Sequence, residues 1–87
     1  MSKDVRIVVL QRGWVIVGEY EREGLDVRVR HASVIRRWGT TKGLGELRAG
    51  PLRDTVLDHI GDEEHHRVTE VLTIRCDAAG WEAHLVD

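Results

Sequence analysis

One cysteine, Cys76, and one proline, Pro51, stand in a chain of 87 residues. A lone thiol excludes both an intrachain disulfide framework and a four-cysteine zinc site, so a reducing compartment, by default the cytoplasm, is expected. Long apolar runs are also missing. The run that begins at Val5 is interrupted by Gln11 and Arg12, and Met1-Ser2-Lys3-Asp4 starts no secretory signal, so neither leader nor membrane span is expected. Catalytic signatures are equally scarce. Lys42 lies between Thr41 and Gly43 rather than in a Walker A loop, no His-Glu-x-x-His occurs, and spacing singles out no Ser, His and acid trio. Catalytic residues, metal ligands and cofactors are therefore assigned to none, and an enzyme, with a site shared between subunits, ranks third among the functions considered.

The length supports one core, so residues 1–87 are expected to form a single domain. Ordering a residue costs about 1.5 kcal/mol, and a core this small gains from a subunit interface, so a homo-oligomer is expected. The β-branched run Val5 to Leu10 suits a strand, and after a turn at Arg12-Gly13 a second strand runs from Trp14 to Tyr20. Gly24 supplies the next turn. Leu25 to Arg30 alternates with the period of a half-buried strand, with Val27 and Val29 inside and Arg28 and Arg30 outside. In the second strand Trp14 and Ile16 point one way and Val15 and Val17 the other, so both faces are apolar. One face fills the core; the other needs a terminal helix or a neighbouring subunit.

Further along, Ala32 to Trp38 continues the third strand through a bend or forms another. Glu46 to Ala49 makes one helical turn that Gly50-Pro51 ends. Thr55 to Leu57 reads as a brief strand, Asp58 to Glu64 as an exposed loop, and Arg67 to Arg75 as the last strand, bent near Glu70. Asp77 can cap a short helix through Leu85, with a hairpin strand as the alternative. These elements predict a mainly β fold: a small, strongly bent antiparallel barrel with one helical turn and a C-terminal helix.

Net charge is -2, distributed unevenly. Residues 1–50 carry ten Lys or Arg against six acids and residues 51–87 three against nine, leaving +4 and -6. No acid falls between Val27 and Leu44, a stretch that contains Arg28, Arg30, Arg36, Arg37 and Lys42. Such a block attracts anions. Within it, amides around Gly39, Gly43 and Gly45 can form an anion nest, Thr40 and Thr41 can donate hydroxyls, and Trp38 can stack on a base. The candidate ligand-binding residues are thus Arg28, Arg30, Arg36, Arg37, Trp38, Thr40, Thr41, Lys42 and Gly43. The alternatives are a solvated or acid-paired basic face, and glycines that merely shape a strand crossing while Trp38 and Leu44 pack inside. His59, His65 and His66 beside Asp58, Asp62, Glu63 and Glu64 match no metal-ligand spacing and read as a solvated loop, and Cys76 reads as a buried small hydrophobe.

The strands from Val5 through Gly18 to Val29, with Val68 through Ile74, carry a strand-glycine pattern at Leu10-Gln11-Arg12-Gly13 and Val17-Gly18 that resembles Sm-like and SH3-type small barrels. Leu10 to Val15, Ala32 to Leu47 and Thr55 to Asp58 resemble short uncharacterised proteins of tailed bacteriophages and prophages. That likeness implies a viral context, the host cytoplasm, and a sequestering or anti-defence role. The leading expectation is a binding protein for a phosphate-bearing ligand, a nucleotide or short RNA. The alternative is a protein-binding inhibitor of a host protein, or a phage assembly component, anchored by Trp14, Trp38 or Trp81.

Overall fold

A computed structural model describes residues 3–85; Met1, Ser2 and the last two residues of the expected domain lie outside it. Five strands, β1 (Val5–Leu10), β2 (Val15–Glu23), β3 (Asp26–Arg37), β4 (Val56–His66) and β5 (Glu70–Arg75), form one antiparallel sheet in the order β4-β3-β2-β1-β5. No backbone pairing joins the edge strands β4 and β5 among the described residues, so the sheet is not closed. A one-turn helix, α1 (Ala78–Trp81), follows β5, and short 3-10 helices cover Gln11–Gly13, Leu44–Ala49, Arg67–Thr69 and Glu82–His84.

The connections follow from local chemistry. Arg12 and Gly13 take positive φ, 69° and 83°, and the Leu10 N–H donates to the Trp14 carbonyl at 2.8 Å, reversing the chain tightly. β3 runs as one strand through a bulge at His31, whose φ is 53°. Opposite it, a Cβ on Gly18 would lie 2.7 Å from the Arg30 carbonyl oxygen, so only glycine admits this approach of β3 to β2. Bulges add local bend and twist.

Both faces of the sheet are packed. Val8, Leu10, Ile16, Tyr20, Val27, Val29, Ala32 and Val34 form one cluster, which we call the inner face. On the outer face Val5, Ile7, Val15, Val17 and Ile35 meet Leu47 from the middle 3-10 helix and Trp81 from α1. The doubly apolar second strand is thus covered by the chain's own C-terminal segment, which is helical rather than a hairpin strand. Asp77 does not cap it through its side chain; its backbone N–H donates to the Arg48 carbonyl instead. Gly80 is needed for close docking, because a Cβ there would sit 1.8 Å from the Ala49 carbonyl oxygen.

Two expectations for the later strands fail. Asp58 to Glu64 is not a loop but the middle of the 11-residue strand β4, and Arg67–Thr69 is a 3-10 corner rather than strand. The inward positions of β4 opposite Val29 and Val27 are Glu63 and His65, so polar side chains occupy the places where periodicity looks for apolar ones. The bend expected near Glu70 is the 3-10 corner that precedes it.

Past β3 the chain crosses itself. Gly39, at φ 67°, would place a Cβ 2.4 Å from the Asp54 carbonyl carbon, while the Thr55 hydroxyl donates to the Trp38 carbonyl at 2.7 Å. Strain and backbone overlap together make Gly39→Ala destabilising by about 2–3 kcal/mol, to be read from the urea midpoint at unchanged m-value.

Candidate functional site

The arginines of β3 are spread along a strand rather than gathered. At about 3.3 Å per residue, Arg28 and Arg36 stand roughly 25 Å apart. Acids absent from this stretch of sequence arrive from the flanking strands: Arg28 pairs with Glu64 at 3.7 Å, Arg30 with Glu21 at 3.2 Å and Arg36 with Asp58 at 2.8 Å. Arg28 and Arg30 line a polar groove of about 380 Å³ at the β2–β3 hairpin, together with Glu21, Glu23 and Glu64. The groove mixes both signs of charge.

The loop after β3 does form a nest. Its anion is internal: the Thr41 N–H donates to a Glu46 carboxylate oxygen at 2.9 Å, and the Lys42 N–H donates to the same oxygen. Thr40 is half-buried, Thr41 and Lys42 are exposed, and Gly43 takes φ 121° before the 3-10 helix. Trp38 is not in the core but 41 % exposed, between Arg37 and the Lys42 loop, and neither of those cations is in an ion pair among the described residues. Trp81, by contrast, is fully buried and donates from Nε1 to the Leu47 carbonyl at 2.8 Å, which removes it as a surface anchor. Cys76 is half-buried, and burial pushes its thiol up.

The inner face opens at one end into a cleft of about 360 Å³ lined by Leu10, Trp14, Ile16, Val34, Ile60 and Glu63. Leu10, Ile16 and Val34 are buried and form its floor; Trp14 and Ile60, 53 % and 44 % exposed, form its rims. The turn after β1 places Trp14, and β4 carries Ile60 and Glu63 to the opposite side. Within the lining, Glu63 alone is charged.

Behind Glu63 lies a buried polar chain that sequence reading missed. His65 Nδ1 is 2.7 and 2.9 Å from the two Glu63 oxygens, and its Nε2 is 2.8 Å from Glu70. Glu70 also accepts the Tyr20 hydroxyl at 2.9 Å and lies 3.5 Å from Arg67 Nε, while the Arg6 guanidinium stacks 4.3 Å above the Tyr20 ring. The side chains of His65 and Glu70 are 8 % and 3 % exposed, so they do not belong to a solvated loop. Burial pushes the Glu63 carboxyl up, against the opposing hydrogen bond and charge of His65. Tyr20 is pushed up by burial, and the carboxylate of Glu70 adds to the effect. A neutral imidazole donates from one nitrogen only, so the two contacts of His65 hold a shared proton on the ring or a carboxyl. This chain ties β4 to β5 by side chains where the backbones do not pair. The one available signal was the alternation Gly61, Glu63, His65, in phase with an inward strand face.

No family model, curated protein or solved structure matches the chain. Among the described residues no helix is long and apolar enough to cross a membrane.

Proposed function

We propose that the protein is a binding domain, built on a small, strongly bent barrel, that holds a segment of a partner protein in the cleft between Trp14 and Ile60. The observation that supports this reading is the half-exposed indole of Trp14 standing over an apolar floor of Leu10, Ile16 and Val34. A large aromatic beside a desolvated floor is the usual anchor of a protein interface. The side-chain bridge from His65 to Glu70 across the sheet edges supports the barrel. Exposed Val71 and Leu72 on the edge strand β5, with exposed Val68 in the corner before it, support self-association, since a bare apolar edge invites a covering strand.

The phosphate-ligand reading retains one observation, the exposed Trp38 between Arg37 and Lys42. Two variants separate the readings. Peptides selected from a random displayed library against the intact protein are expected to lose about 30-fold in affinity on Trp14→Ala and to be unaffected by Lys42→Ala. If instead the protein binds mononucleotides or short RNA at low ionic strength in a manner that Lys42→Ala abolishes, and no peptide depends on Trp14, the phosphate reading replaces the proposal.

A further inference from the structure

We infer that the partner residue seated in the Trp14–Ile60 cleft is a lysine, its alkyl stem on Leu10, Ile16 and Val34 and its ammonium on the Glu63 carboxylate. This inference rests on the docking reading above and adds the chemistry of the occupant. The cleft has an apolar lining interrupted by one carboxylate, whose side chain is 14 % exposed. A purely apolar occupant would strip the remaining water from Glu63 and give it nothing in return, and an acidic one would meet a like charge. A flexible apolar stem ending in a cation satisfies both parts of the lining.

The geometry at Glu63 further separates lysine from arginine. His65 Nδ1 sits within 2.9 Å of both carboxylate oxygens, so the inner, fork-accepting edge of the carboxylate is taken. A guanidinium draws its advantage from that two-point pairing, whereas an ammonium needs a single oxygen and can use an outer lone pair. The other nitrogen of His65 is held by Glu70, which Arg67 also approaches, so the ring does not leave Glu63 to follow the incoming charge.

The test uses peptides selected against the intact protein and matched versions in which the lysine is replaced by norleucine, arginine or glutamate. On the wild-type protein the lysine peptide is expected to bind roughly tenfold tighter than the norleucine peptide, with the arginine and glutamate versions weaker than lysine. Glu63→Gln is expected to erase the lysine–norleucine difference, weakening the lysine peptide and strengthening the norleucine peptide, which no longer desolvates a charge, and a melting curve checks that it is folded. Free n-pentylamine is expected to compete only at far higher concentration than the peptide, because it lacks the flanking backbone. Selected peptides without lysine that still depend on Trp14, or a lysine preference that survives Glu63→Gln, overturn the lysine and leave the cleft as a docking site. Peptides indifferent to Trp14→Ala, or a selection that yields none, overturn the docking reading itself.

Discussion

Trp81→Ala is expected to destabilise the protein by about 3–5 kcal/mol, the range for deleting a large buried aromatic. The indole is fully buried between the outer sheet face and Leu47, and its N–H is bonded to the Leu47 carbonyl. Removing it opens a cavity, takes from that carbonyl one of its two donors, the other being the Gly50 N–H at 3.1 Å, and uncovers Val15, Val17 and Ile35. Small domains are stable by about 5–15 kcal/mol, so a loss of this size consumes a large part of the total. Urea unfolding of the variant should show a much lower midpoint. Trp81→Phe retains most of the volume and loses the hydrogen bond, so its loss should be smaller by half or more. An unchanged midpoint for Trp81→Ala would mean that α1 does not cover the sheet.

The second large effect is expected at Glu70. Its carboxylate accepts from Tyr20 and meets His65, and the side chain is almost wholly buried. Glu70→Ala strands both partners at the corner that joins β4 to β5, and leaving a buried polar group without its partner costs about 1–3 kcal/mol for each group. Tyr20→Phe, which removes one hydroxyl, should cost about 1–2 kcal/mol. Because both act through Glu70, a double-mutant cycle should show losses that do not add.

The same cluster gives stability a pH dependence. Burial raises Glu63 above its ordinary value of 4.5, so the folded chain holds this proton more tightly than the unfolded chain does. Its contribution is complete below the unfolded value and is lost as pH rises through the raised folded one. Glu63→Gln, which imitates the protonated group, should therefore gain stability relative to wild type as pH increases across that window. Urea melts of the two proteins at matched pH values measure the difference, and parallel curves would contradict it.

Much of the sheet was legible. β1, β2 and β3 announce themselves through β-branched runs and the alternation around Val27 and Val29, and the glycine at position 24 marks the hairpin. β4 was legible only at its start, Val56-Leu57, because an edge strand with one side in water and with Glu63 and His65 turned inward shows no apolar period over the rest of its length. Those two residues are tolerable inside only because Glu70, from the next strand, completes their bonding. Trp14 could be named as an anchor from sequence; the cleft beneath it could not, since Ile60 and Glu63 lie more than forty residues away.

The sequence by itself determined a mainly β chain with two apolar faces on β2 and a need for cover on the second of them, because periodicity and side-chain type are local properties; that Trp81 and Leu47 of the same chain supply the cover was decided by the tertiary structure. Which charges remain available was decided only by the tertiary structure. The basic block of β3 carries no acids in sequence, yet Glu21, Glu64 and Asp58 neutralise three of its arginines from neighbouring strands, and Glu46 fills the nest at Thr41 and Lys42. Electrostatic partners are set by distance in space, and antiparallel pairing puts residues far apart in the chain side by side.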